Sequence, residues 1–129
     1  MPIIYEYEST LNIIHTRPYG VLSLLEIGNY FNKVAKDPEI NTELIEIVNF
    51  EKVEDFLFSS SEALIIPEMY RKFKDKTKLK GTIFIAESDI HFGISRMLQN
   101  ILEMNDLHDG VFVVRDEEGA NLLIKEINS

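Results

Sequence analysis

The chain opens on IIYEYE, where Ile3, Tyr5 and Tyr7 alternate with Ile4, Glu6 and Glu8. A period of two predicts a strand with one face covered and the other wet. After a break at Glu8-Ser9-Thr10, the β-branched run LNIIHTR predicts a second strand, and the pair reads as an antiparallel hairpin. RPYG, at 17–20, reads as a turn. The period then changes in SLLEIGNYFNKVAKDP, where Leu24, Ile27, Phe31 and Val34 recur at helical spacing and Pro38 supplies a stop signal. Ser23 with Glu26 forms a capping box at that helix start.

LIEIVNF (44–50) predicts the third strand, and the serines at 59–61 lead into a helix reaching about Phe73. Pro67 must either kink this helix or open its regular part, because proline lacks an N–H and its ring crowds the preceding turn. GTIFIAE (81–87) is a continuous apolar run, as a strand covered on both faces requires. Ser88 or Asp89 can cap the next helix, whose stripe of Ile90, Ile94, Met97, Leu98 and Ile101 is expected to face the sheet. GVFVVR (110–115) predicts the last strand, and Asp116 caps a final helix packing through Ala120, Leu123, Ile124 and Ile127. The order is β-β-α-β-α-β-α-β-α. It implies one α/β domain over residues 1–129, with a mixed, mostly parallel sheet of about five strands and helices packed on it.

Two stretches carry a family resemblance. IFIAESDIHFGISRMLQN places Phe92, Gly93, Arg96 and Met97 in an aromatic-Gly-x-x-Arg-Met pattern on a helix. GVFVVRDEEGANLLI follows, with Asp116, Glu117 and Glu118 opening the last helix. Together they resemble the SpoIIAA-like (STAS/SEC14-type) family of small bacterial proteins. The chain departs from that pattern at Leu122 and Leu123, where many relatives place a tryptophan, and at Gly119, where a helix former is expected. The resemblance implies a STAS-like fold. Within that wider fold, the anti-sigma-factor antagonists carry Asp-Ser-Ser-Gly at the start of the helix after the third strand, and the serine is phosphorylated to switch partners. FLFSSSEALI (56–65) falls in the equivalent place, which makes Ser59 and Ser60 candidate phosphorylation sites. Here Phe58 stands where the aspartate is expected and Glu62 where the glycine is.

A structural role competes for the same serines. Ser59 followed by Glu62 is a second capping box, and replacing a capping serine with alanine typically costs ~1 kcal/mol. Phosphate is favoured at a helix start, yet Glu51, Glu54 and Asp55 lie just upstream and oppose a second negative group. Capping is the preferred reading. Ligands of open α/β sheets bind beyond the carboxyl ends of the strands, so a polar pocket, if the chain has one, is expected among Tyr19, Asn49, Ser88, His91 and Arg115.

Charge and composition narrow the functional classes. Thirteen basic residues face 22 acidic ones, for a formal charge of −9, which disfavours nucleic acid as a partner because such affinity rests on neutralised phosphates. The basic run RKFKDKTKLK (71–80) reads as a solvated helix end, where cations meet the negative end of the helix dipole. No apolar run approaches the ~20 residues needed to span a bilayer, and the chain has no cysteine. His15, His91 and His108 are scattered, without the spacing that puts two metal ligands on one helix face. Neither a nucleophile elbow nor a glycine-rich phosphate loop occurs. These absences predict no metal, no cofactor and no catalytic constellation. The expectation is a cytoplasmic, non-catalytic regulatory or protein-interaction domain, contacting its partner through the Ser59 and Ser88 helix starts. An acidic surface favours a basic partner, and the exposed first strand leaves a homodimer open. The alternative is a carrier of a small apolar or lipid ligand, which the SEC14 side of the resemblance implies.

Overall fold

The computed structural model describes residues 3–40, 43–74, 79–104 and 110–128, with 72–74 by backbone alone. Residues 75–78 of the basic run, and His108, lie outside the described residues. Six strands and four helices follow in the order β1 (Ile3–Glu8), β2 (Ile13–Leu22), α1 (Leu24–Ala35), β3 (Leu44–Asn49), β4 (Lys52–Phe56), a 3-10 turn (Glu62–Ile65), α2 (Ile66–Lys74), β5 (Leu79–Ile85), α3 (Asp89–Met104), β6 (Val111–Val114) and α4 (Glu117–Ile127). The sheet runs β1-β2-β3-β5-β6, with β1 antiparallel and every other pairing parallel; β4 pairs the far half of β2.

From β2 onward, the main path of the sheet always steps the same way. Right-handed crossovers that never reverse direction put their helices on a single face. One core accordingly unites Phe31 and Val34 of α1, Ile66 and Tyr70 of α2, and Leu98 and Leu102 of α3 with the sheet. The other face carries a smaller core in which α4 covers Ile45, Ile47, Ile83 and Ile85 through Ala120, Leu123, Ile124 and Ile127. The strands between these two layers are buried on both faces, and β3 and β5 are accordingly buried along almost their whole length, Glu46 and Thr82 included.

Three sequence expectations need correction. RPYG is not a turn: β2 continues through it for ten residues. Pro18 is tolerated because it lies between the stretch of β2 paired with β3 (13–16) and the stretch paired with β4 (19–22). Gly20 bends the strand instead, with φ +68 beside the register shift at Gly20/Val21. The sheet has six strands rather than about five, since Lys52–Phe56 forms β4, with Val53 buried and Lys52, Glu54 and Asp55 exposed. Finally, the α3 stripe packs on the core at Ile94, Met97, Leu98 and Ile101, but not at Ile90. Ile90 is 74% exposed, whereas Ser95 and Leu102 are buried with Leu98 and Ile101. Gly93 faces open space and mediates no close approach. Pro67 opens the regular part of its helix, at the second position of α2.

Candidate functional site

A charged residue sits at the centre of the larger core. Glu46, in the middle of β3, has 0% exposure. Because β3 is covered on both faces, alternation sends Leu44, Glu46 and Val48 toward α1–α3, and Ile45 and Ile47 toward α4. A buried carboxyl is tolerable only when its oxygens are satisfied. Here Tyr30 of α1 donates its hydroxyl to Oε2 at 2.7 Å, Tyr70 of α2 donates to Oε1 at 2.6 Å, and Thr82 of β5 donates to the same oxygen at 3.0 Å. The Thr16 hydroxyl of β2 lies 2.7 Å from that of Tyr30. One carboxyl therefore ties together five elements. Thr82 is also the register partner of Glu46, so the sheet itself sets that contact.

Burial pushes the Glu46 carboxyl above its ordinary range, against the three hydroxyl bonds, which pull it down. The Tyr30 and Tyr70 phenols are driven well above their usual value by burial and then by the charge of Glu46. Tyr5 stacks edge-on against Tyr30 at 6.0 Å and donates to Asp37 at 2.9 Å; burial and that bond raise its phenol to about 12. Beside the cluster lies a cavity of about 50 Å³, walled by aromatic and aliphatic side chains such as Phe50, Phe56, Phe58, Phe84 and Leu102, with Glu46 as its charged residue.

The Ser59 segment lies near the wall of that cavity. Phe58 contacts Phe56 edge-on at 5.8 Å, and both line the space. Ser59 Oγ accepts the Glu62 N–H at 3.1 Å, and the Glu62 carboxylate accepts the Ser59 N–H at 2.9 Å, so the capping box is complete. Those bonds, the backbone N–H first, hold the Glu62 carboxyl below its usual range. Ser60 is exposed and lies outside this exchange.

The five residues expected to form a polar pocket are dispersed. Ser88 caps α3, its Oγ accepting the His91 N–H at 3.1 Å. The His91 Nε2–H donates to the Val53 carbonyl at 2.8 Å while its ring meets Phe56. Tyr19 pairs with Lys52 between β2 and β4. Asn49 and Arg115 do border a common groove of about 430 Å³ on the α4 side, together with Glu51, Glu87, Glu117 and Glu118. Arg115 is already committed there: it stacks 3.9 Å above the Phe92 ring and donates to the Glu87 carbonyl and to Asp89, each at 3.0 Å. The topology explains the dispersal. Crevices of open α/β sheets form where strand order reverses, and this path has no reversal among its parallel strands.

At the sequence level, no family profile and no curated protein matches the chain. Solved structures do. An uncharacterized protein of the DUF3478 family with a SpoIIAA-like fold, from Shewanella loihica PV-4, superposes with a TM-score of 0.57 at 16% identity, over 95% of this chain and 93% of that one. This is the SpoIIAA-like fold. The anti-sigma factor antagonist SpoIIAA in its unphosphorylated form gives a TM-score of 0.50 at 17% identity, over 94% and 95% of the two chains. The Bacillus cell fate determinant SpoIIAA in its phosphorylated form gives 0.50 at 18%, over 94% and 98%. The SpoIIAA-like fold expected from residues 83–124 is therefore present along nearly the whole chain. Among the described residues, no helix is long and apolar enough to cross a membrane, and no cluster of three metal-ligating side chains occurs.

Proposed function

We propose that the chain is a non-catalytic regulatory domain that binds a protein partner through the end of the sheet where α1, the 3-10 turn and α3 begin. The observation that carries this reading is the set of large apolar side chains exposed there: Leu25, Leu57, Leu64, Ile65 and Ile90. Parallel strands bring these starts to one end, and cross-contacts join them. The Leu57 N–H bonds the Leu22 carbonyl, and His91 reaches across to Val53 and Phe56. Exposed apolar clusters rimmed by polar residues mark interaction surfaces. The rim here is acidic, with Glu26, Glu54, Asp55 and Glu62, which favours a partner carrying cations. The likeness to an anti-sigma factor antagonist supports a regulatory role in contact with another protein. On this surface Ser60 is the better-placed hydroxyl for phosphorylation, because the Ser59 hydroxyl is engaged in the cap.

The carrier reading is the weaker one. The apolar cavity measures about 50 Å³, whereas an engineered cavity of about 150 Å³ is needed to hold a benzene-sized guest. Affinity capture from the native host tests the proposal, using wild type and a Leu64→Glu, Ile90→Glu variant whose circular dichroism matches it. A stoichiometric partner on wild type, lost from the variant, is expected. No partner, or one retained by the variant, overturns the assignment of this surface.

A further inference from the structure

The Glu46 cluster exceeds what a stable core requires. Hydrophobic side chains of similar volume would fill the space at no loss of stability, and often with a gain. What the cluster contains instead is an acid with three hydroxyl donors and, among the described residues, no Lys, Arg or His beside it. Among the described side chains, the groups facing it are Tyr30 from α1, Tyr70 from α2, Thr16 from β2 and Thr82 from β5, while α3 presents Leu98 and Leu102. Tyr5 of β1 stands behind Tyr30, bound to Asp37. Among the described residues, no neighbouring cation offsets a negative charge on the carboxyl.

The adjoining cavity gives such a charge a way to be accommodated short of unfolding. A water needs roughly 10–15 Å³ of this measure and two to four polar partners. The cavity of about 50 Å³ has the room, but while Glu46 is neutral its walls offer almost no free polar atom. We propose that Glu46 and this cavity form a proton-operated element: in the neutral acid the carboxyl proton on Oε2 is held by the Tyr30 oxygen, whose own proton turns to Thr16, and the core stays dry; loss of that proton to solvent returns Tyr30 to donating, draws water into the cavity and loosens α2. Helix α2 is the element that yields because Tyr70 is its link to the carboxyl, and Ile66 and Tyr70 are its buried anchors. Its upstream end is the Ser59–Glu62 cap, so the element connects proton concentration to the surface assigned above. That functional consequence rests on the proposed docking surface; the structural switch does not.

The test needs no partner, which keeps its failure separate from failure of the docking proposal. Side-chain carboxyl ¹³C shifts of the whole chain are followed from pH 4 to pH 10, alongside amide exchange of residues 66 and 68–71 corrected for intrinsic rates. In wild type, Glu46 is expected to titrate above the ordinary carboxylate range, with α2 protection falling at least tenfold over the same interval. In Glu46→Gln the step in protection should vanish. Val48→Ile, which narrows the cavity but keeps the acid, should move the Glu46 titration higher. A Glu46 titration at or below the ordinary range overturns the proposal, as does a titration that leaves α2 protection unchanged. If Glu46→Gln does not fold, the wild-type and Val48→Ile titrations decide alone.

Discussion

Tyr70→Phe isolates one bond of the buried cluster, because it removes an oxygen and little volume. The Tyr70 hydroxyl lies 2.6 Å from Glu46 Oε1, and its loss leaves that oxygen with Thr82 alone, at 3.0 Å. A buried hydrogen bond between neutral groups contributes about 1 kcal/mol, and one to a charged group about 1.5–3 kcal/mol. The penalty therefore depends on the protonation state of Glu46. With the acid neutral, Tyr70→Phe should cost about 1 kcal/mol; once it ionises, the cost should rise to about 2–3 kcal/mol. The sign follows from linkage. Burial holds the folded carboxyl above its unfolded value, so its stabilising contribution is complete below the unfolded pKa and is lost as pH rises through the folded one. The Tyr70 bond opposes that upward shift, so removing it raises the folded pKa further and steepens the loss. For a chain of this length, 1 kcal/mol corresponds to about 4 °C in Tm. Urea denaturation of both proteins at pH 5 and pH 9 measures the two costs. A penalty below about 0.5 kcal/mol at both pH values, or one that shrinks at pH 9, refutes the reasoning.

Three further substitutions probe the backbone features that shape the sheet and its helices. Asp116 Oδ1 accepts the Gly119 N–H at 2.8 Å, so Asp116→Ala should lower stability by about 1 kcal/mol, read as a shift in urea midpoint with an unchanged slope. Gly20 and Gly93 both face open space, but Gly20 has φ +68 whereas Gly93 lies within α3. Alanine should therefore destabilise by about 1 kcal/mol at Gly20 and stabilise by up to about 1 kcal/mol at Gly93. Equal signs in calorimetry would contradict the conformational argument.

Features governed by local chemistry were readable from the residues. The β1–β2 hairpin, the caps at Ser23, Ser59, Ser88 and Asp116, and the packing stripe of α4 each depend on side chains a few positions apart. Features set by distant partners were not. Lys52–Phe56 carries three charged residues and one buried position, so nothing in its pattern separates an acidic loop from a strand whose ladder comes from β2. RPYG has turn composition, and the pairing of 17–18 with β1 and of 19–22 with β4 keeps it extended. The α3 stripe was legible at Ile94, Met97, Leu98 and Ile101, while Ile90, in the first turn, is left exposed. Glu46 left a signal that passed unused. Once LIEIV is read as a strand covered on both faces, its glutamate must be buried, and buried acids require donors. Tyr30 and Tyr70, on the helices that flank the strand in sequence, are donors on otherwise apolar faces.

The same cluster bears on why the chain adopts one register among several. Apart from Glu46, the buried positions of β3 are Leu, Ile and Val, which serve either face and by themselves would lose little in a slip. A one-residue slip of β3 would turn Glu46 toward α4, among Ile83, Ile85, Ala120 and Leu123, an apolar cluster with no hydroxyl among its described residues. The desolvation penalty of an unsatisfied buried acid is several kcal/mol, comparable with the whole stability of a domain this size. Slipped states are thus raised far more than the native register is lowered, and the gap between them widens. The cost in the native state is borne by three hydroxyls from α1, α2 and β5, each correctly placed only if its own element has docked. An acid at this position makes the packing of one face conditional on the pairing of the sheet.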